Sequence, residues 1–388
     1  MQNKKTSHTL QSLSRNVLVC FSHLRWDFVY QRPQHLLSRA ARDYQVLFVE
    51  EPVFEDATTP RLVQKQDKSG VWIVVPHLPH RVRELQNEIL EGLIAQLLST
   101  IPTRNLYLWY YTPLALSFTR KLACDARIYD NMDELSGFLG ASVDILQMEE
   151  EMFQKAVIVF TGGQSLFDAK RHRHNNIYAF PSSIDAAHFR QARSLRADSA
   201  SRKRPQIGFF GVIDERMNIA LVRELASLRP AWDINMLGPI AKIDPDSLPR
   251  ATNIHWLGMK SYDDLPAHLA QWDIGIMPFA INASTKYISP TKTPEFLAAG
   301  LPVVSTVIHD VVHPYGDMGL VEIADTASAF VDACERLLHR PGEQWLTKVD
   351  RFLAQNSWDK TWNGMEKLML QAARSVSTET VARAKSYV

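Results

Sequence analysis

The sequence predicts an α/β protein made of two doubly wound parallel-sheet units that face a central cleft. Three observations predict it. Short apolar runs alternate with helical patterns along nearly the whole chain, and strands apolar on both faces with helices between them belong in parallel sheets covered on each side. The 388 residues exceed what one core ordinarily holds. The segment Gln191–Pro205, QARSLRADSASRKRP, is polar, basic and Ser-rich without apolar periodicity, so it reads as a solvated linker.

Taken in order, the first unit spans residues 15–190 and carries expected strands at Asn16–Phe21, Gln45–Glu50, Val71–Val75, Asn105–Tyr110, Arg127–Asp130, Val157–Phe160 and Ile177–Phe180. Helical patterns fall at His35–Arg42 and Leu114–Leu122. Between Val82 and Ser99 the apolar residues Leu85, Ile89, Leu93, Ile94 and Leu97 recur at helical spacing, as expected of a stripe packed on a sheet. The second unit, 205–356, carries strands at Gln206–Gly211, Ile234–Leu237, Asn253–Leu257, Ile274–Pro278, Pro302–Ser305 and Val321–Ile323. Helices are expected at Ile219–Leu228, Asp263–Gln271 and Ala327–Leu338. Residues 1 to about 14 read as a frayed tail. In such sheets ligands bind beyond the carboxyl ends of the strands, so the cleft is the expected site.

Composition narrows the function. Lys plus Arg number 43 and Asp plus Glu 42, a net charge of +1, which gives no global attraction to nucleic acid. Three cysteines without a CxxC pair argue against a disulfide framework or structural zinc and fit a reducing cytoplasm. No apolar run reaches the length of a membrane span. Asp244-Pro245-Asp246 imitates a metal motif, but its Pro-rich setting reads as a turn.

The chemistry concentrates in Pro278-Phe279-Ala280-Ile281-Asn282 and the stretch from Ser289 to Val304, SPTKTPEFLAAGLPVV. Thr293 and Pro294 have the form of an N-cap and first helical position, and Gly300 ends the helix. A helix start at a sheet's carboxyl edge attracts anions. Lys292 adds a full charge there, and Glu295 in the first turn could accept hydrogen bonds from a ribose diol. Such an arrangement suits a departing diphosphate, whose growing negative charge positioned donors stabilise. At Gly211 a side chain would block phosphate approach, and Arg216 follows closely enough to reach a phosphate.

The stretch Pro278 to Val304 resembles the donor region of group 1, GT4-like, glycosyltransferases of the GT-B fold, with two Rossmann-like domains. The resemblance extends to Ile207–Gly211, Asn235–Pro239, Asn253–Gly258 and Tyr262–Trp272. It implies that Glu295 binds the donor ribose and that the turn through Pro290 and Lys292 meets the diphosphate. It places Gly211, Arg216, Gly238, Met259 and Tyr262 around the nucleotide. The family carries a second glutamate eight positions before the ribose-binding one. Here that position is Tyr287, and Asn282, Ser284, Thr285 or Tyr287 are alternatives for contacting the sugar.

In the first unit, Trp26 and Gln31-Arg32-Pro33-Gln34-His35-Leu36 resemble the opening of a bacterial subset of these enzymes in exopolysaccharide and cell-envelope assembly. Trp26, Gln31 and Arg32 are the acceptor candidates. Asp130, then Asp133, after the Arg127–Asp130 strand, are candidate bases for the acceptor hydroxyl, with His23 as an alternative. Ser357–Leu370 resembles the family's terminal helix, so a helix at about 357–388 is expected to complete the first unit. The resemblance implies a metal-independent, cofactor-free transfer from a UDP- or GDP-linked sugar to a saccharide or lipid-linked saccharide. The enzyme would be cytoplasmic, with a peripheral contact at the inner face of the membrane as a further expectation. Alternatives on the same fold are a nucleotide-sugar epimerase or hydrolase, and a catalytically degenerate scaffold subunit.

Overall fold

The computed structural model describes residues 15–196, 203–339 and 342–385, with side chains to residue 375. The expected N-terminal tail and residues 197–202 of the expected linker lie outside the described residues.

The first sheet holds β1 (Arg15–Ser22), β2 (Gln45–Glu50), β3 (Val53–Glu55), β4 (Arg61–Gln66), β5 (Trp72–Pro79), β6 (Thr103–Tyr110), β7 (Ala126–Asn131), β8 (Ile158–Thr161) and β9 (Ile177–Ala179). Their order is β3-β5-β2-β1-β6-β7-β8-β9, with β4 attached to β5. Every pairing is parallel except β4–β5. The second sheet holds β10 (Gln206–Phe210), β11 (Asp233–Leu237), β12 (Ile254–Gly258), β13 (Ile274–Met277), β14 (Val303–Ser305) and β15 (Glu322–Ile323). Its order, β12-β11-β10-β13-β14-β15, is the doubly wound order that reverses between its first and fourth strands, the crevice where such sheets bind ligands.

The alternation of β1 shows why these runs become central parallel strands. Leu18 and Cys20 enter one apolar cluster, while Val17, Val19 and Phe21 enter another on the opposite face. Residues that are apolar at every position can satisfy both layers at once. Cys20 and Cys334 are buried free thiols.

Sequence and structure differ in several places. β3 and β4 were not expected; β4 is almost wholly exposed and lacks the apolar signature used for the others. The Val82–Ser99 pattern divides into a 3-10 turn at His80–Leu85 and an α-helix at Gln86–Ser99, which buries Leu90 and Ile94 rather than the full stripe. The unit boundary falls earlier than expected. Ala186–Leu195 is a helix whose Phe189 and Ala192 join the second core, and Arg193 Nε donates to the Ala298 carbonyl at 2.7 Å. Gln191–Leu195 therefore belongs to the second lobe. The long final helix, Trp358–Lys385, returns to the first lobe, where Trp358, Trp362, Met365 and Met369 are buried beside Trp109 and Phe160. Among the described residues no helix is long and apolar enough to cross a membrane.

Candidate functional site between the lobes

The carboxyl ends of β10 and β11 form a bare backbone platform. Gly211 N–H donates to the Leu237 carbonyl and Gly238 N–H to the Gly258 carbonyl, each at 2.9 Å. Both glycines have positive φ, +131° and +149°, which side-chain-bearing residues rarely adopt. A Cβ on Gly211 would sit 1.9 Å from Lys292 Cε, and one on Gly238 would sit 1.9 Å from the Gly211 carbonyl oxygen. The first glycine therefore gives Lys292 its path across the strand end.

Lys292 opens the helix Lys292–Ala298, with Thr291 as N-cap. The sequence had suggested a start at Thr293-Pro294. Instead Thr293 is fully buried with its hydroxyl on Met277 Sδ at 3.4 Å, and Pro294 occupies the third helical position. Gly300, at φ +72°, closes the turn after the helix. Glu295, one turn into the helix, is only 5% exposed. Burial pushes its carboxyl up to about 8, against the pull of Lys292. Burial and the neighbouring Arg216 lower Lys292 in turn. Opposed ionisable groups whose charged forms are disfavoured by burial in a cleft mark a functional site.

A cavity of 610 Å³ brings together Gly211, Arg216, Gly238, Met259, Tyr262, Lys292 and Glu295 from the second lobe with Trp26 and Gln31 from the first. A smaller recess of 80 Å³ adds Asp133 and Pro290 beside Arg216 and Lys292. Arg216 is aimed by Asp214, with Nη2 to Oδ2 at 2.6 Å. The Asp133 carboxyl is raised by burial and drawn down by the fields of Arg216 and Arg32. Its loop is braced from within. Asn131 Nδ2 donates to the Asp133 carbonyl and to the Tyr129 hydroxyl, each at 2.9 Å. The Tyr129 hydroxyl in turn donates to Glu149 at 3.1 Å, and Lys170 joins Glu149 and Glu134. His23 lines a third cavity, of 440 Å³, together with Asp133 and Arg216. Burial, aided by Lys242, lowers its imidazole to about 4, so it is neutral across the physiological range.

Four sequence expectations need correction. Asp130 does not reach the cleft: it is fully buried, with its two oxygens on Arg32 Nη2 and Nε at 2.9 and 3.1 Å. Arg32 lines the 80 Å³ recess with Asp133 and Lys292, but its guanidinium is held by Asp130 and by the Phe180 carbonyl at 2.7 Å, so it ties its helix to β7. Asn282 and Thr285 serve their own loop. Asn282 Oδ1 accepts from the N–H groups of Ser284 and Thr285 at 3.0 and 3.2 Å, and the Thr285 hydroxyl donates to the Ala280 carbonyl at 2.5 Å. With Tyr287 they line a separate groove, away from Glu295. Trp26 is a core residue, edge-on to Phe48 at 5.1 Å with its backbone N–H on Glu50 at 2.8 Å, so only its margin meets the cavity.

The structure also adds residues. Tyr30 of the first lobe stacks on Tyr262 of the second at 4.4 Å, and Tyr262 stacks on His188 at 4.3 Å. The buried Tyr262 hydroxyl has no hydrogen-bond partner. The turn between β4 and β5 places Asp67, Lys68 and Ser69 on the rim of the 610 Å³ cavity, where Lys68 Nζ lies 3.8 Å from Asp263 of the other lobe. Tyr30 adjoins the QRPQHL stretch and could have been found from it; nothing in the sequence pointed to Lys68.

Comparison with known proteins agrees with this architecture. Residues 204–340 match the family model described as Glycosyl transferases group 1. A protein of Bacillus subtilis (strain 168), named as a teichuronic acid biosynthesis glycosyltransferase, is 31% identical over 163 residues. That match spans 40% of this chain and 40% of the relative's own length. Sucrose-phosphate synthase from Thermosynechococcus elongatus superposes with a TM-score of 0.70 at 14% identity, covering 93% of this chain and 100% of that one. The catalytic domain of starch synthase IV from Arabidopsis thaliana, bound to ADP and acarbose, gives 0.62 at 11% identity over 93% and 100% of the two chains. Residues 204–340, most of the second lobe, are thus similar to the group 1 glycosyl transferases, and the chain as a whole has the two-lobed GT-B fold of the structures it superposes on.

Proposed function

We propose that this protein transfers a glycosyl group from a UDP- or GDP-linked sugar to a saccharide hydroxyl, in the assembly of a polysaccharide or cell-envelope glycan. The observation that carries this reading is the convergence of Gly211, Gly238, Lys292 and Glu295 in one interlobe cavity. The glycines leave room for a diphosphate against the backbone, and Lys292 and Arg216 supply the positive charge that a departing diphosphate needs. These fixed cations let the transfer proceed without a resident metal or other cofactor. Glu295 receives the ribose hydroxyls as a carboxylate, so nucleotide binding draws its proton away. Asp133, on the opposite wall of the recess, stands where an acceptor hydroxyl would meet the sugar and takes that hydroxyl's proton. The named role of the Bacillus relative favours a glycan acceptor.

Calorimetry with UDP and GDP on the wild type and Glu295→Ala tests the assignment. Loss of at least tenfold in affinity is expected in the variant; equal affinity removes Glu295 from the site and the reading with it. Product analysis without an acceptor then separates transfer from hydrolysis or epimerisation. A transferase leaves the donor sugar largely intact until an acceptor is supplied.

A further inference from the structure

The 440 Å³ cavity beside Asp133 has a character that sugar hydroxyls alone do not require. Its walls include Phe28, Leu114, Leu135, Phe138 and Ile145. Most of the charged groups on those walls are already engaged: Arg25 with Glu50 at 2.8 Å, Arg216 with Asp214 at 2.6 Å and Lys242 with Glu215 at 3.6 Å. Lys242 and Arg216 also stand 4.8 and 5.5 Å from the centre of the Phe138 ring, which fixes that ring in the wall. A ligand entering here meets apolar surface, the neutral imidazole of His23 and the carboxyls of Asp133 and Glu51.

The apolar surface continues out of the cavity. Leu139, on its lining, is 66% exposed, and Val143 and Leu146, flanking the lining residues Ser142 and Ile145, are 95% and 61% exposed. Ile240, next to the lining residue Ala241 on the other lobe, is 38% exposed. The ledge is locally ordered: Ala141 N–H donates to the Phe138 carbonyl and Ile145 N–H to the Ser142 carbonyl, each at 3.1 Å. Single exposed apolar side chains are ordinary, but Leu139 on the lining with Val143 and Leu146 beside further lining residues adds exposed apolar surface to an apolar wall, the character of a binding surface.

We propose that this cavity and ledge hold the hydrocarbon portion of the acceptor, so that the preferred acceptor is a saccharide carrying an alkyl chain. The inference rests on the glycosyl-transfer reading for the role of Asp133. The chain lies along Phe138, Leu139, Val143 and Leu146, and the sugar at its head reaches the recess of Asp133 and Lys292. Continuity with that recess is what assigns the ledge to the acceptor rather than to an unrelated partner.

An n-octyl β-D-glucoside carrying a terminal diazirine, used below its micelle concentration with UDP present, tests this directly. Photolabel is expected in the peptide 135–147. Excess octyl glucoside should suppress it at least fivefold and methyl glucoside should not, and Val143→Ser/Leu146→Ser should reduce it at least fivefold. Both side chains are exposed, so that variant folds. Label elsewhere, no label, or equal competition by the methyl glucoside overturns the proposal. So does cosedimentation of the wild type, but not the variant, with anionic phospholipid vesicles in the absence of label, which would give the ledge to a bilayer. Calorimetry with UDP and GDP on the same samples reads the nucleotide site independently, so failure there sinks the transferase reading without deciding who occupies the ledge.

Discussion

At the scale of single residues, the site depends on what Gly211 lacks. Gly211→Ala would put a methyl group where the Lys292 stem lies and strain a φ of +131°. We expect nucleotide affinity to fall at least tenfold in calorimetry with the circular dichroism spectrum retained, and Lys292→Ala added to it to cost little more, because both changes remove the same cation. Asp130 and Asp133, three residues apart, separate cleanly. Asp130→Asn leaves the buried Arg32 guanidinium without its counter-charge and should cost about 3–5 kcal/mol in denaturant unfolding. Asp133→Asn should leave unfolding nearly unchanged while lowering kcat by about 10²–10⁴-fold in a transfer assay. Glu295 links the site to pH. Its carboxyl titrates near 8 when folded and near the ordinary value when unfolded, so the native state holds the extra proton between those values. Its contribution to stability is complete below the unfolded value and falls as pH rises toward 8, by at most about 1.4 kcal/mol per pH unit. Glu295→Gln should flatten that decline in thermal unfolding measured from pH 5 to 8.

At the scale of elements, the parallel strands were legible because each must be apolar on both faces, a demand written continuously into runs such as Val17–Phe21. β4 was not legible, because RLVQKQ sits at an edge and answers mainly to water. The Lys292 helix was placed two residues late, since Thr-Pro imitates a cap while the buried Thr293 in fact packs on Met277. The two glycines, Lys292 and Glu295 were found by local pattern. The fate of Asp130 was not, because its partner Arg32 is 98 positions away and no local spacing reports it. The unrecognised β4–β5 turn has a functional consequence: it rests on the cavity rim with Lys68 opposite Asp263. Because the pair is exposed, Lys68→Glu should leave thermal stability unchanged. It should speed nucleotide dissociation by no more than about fivefold in stopped flow, an effect that vanishes at high salt.

At the scale of the whole molecule, two lobes, each with its own buried apolar interior, meet at a cleft. Cooperativity therefore belongs to each lobe more than to the chain. The first lobe is not complete until its last helix arrives, since Trp358, Trp362, Met365 and Met369 cover Trp109 and Phe160. The second lobe closes on itself between the Ala186–Leu195 helix and Leu353. Contacts across the cleft include the Tyr30–Tyr262 stack, the Lys68–Asp263 pair, Phe138 beside Arg216 and Lys242, the Ser182 hydroxyl on the Ser289 carbonyl at 2.7 Å and Asp310 Oδ1 accepting from Ser165 N–H at 3.0 Å. Such an interface is weaker than either core. Trp362→Ala removes a large side chain that is 2% exposed and should cost the first lobe about 3–5 kcal/mol. In calorimetric unfolding the variant is therefore expected to show two transitions, the earlier from the first lobe. Because Lys292 and Glu295 both lie in the second lobe, UDP or GDP at about 100 times Kd should stabilise the later transition by about 2.7 kcal/mol and move the earlier one far less. A single transition that shifts as a unit would mean that the lobes unfold together, with the cleft contacts coupling them tightly.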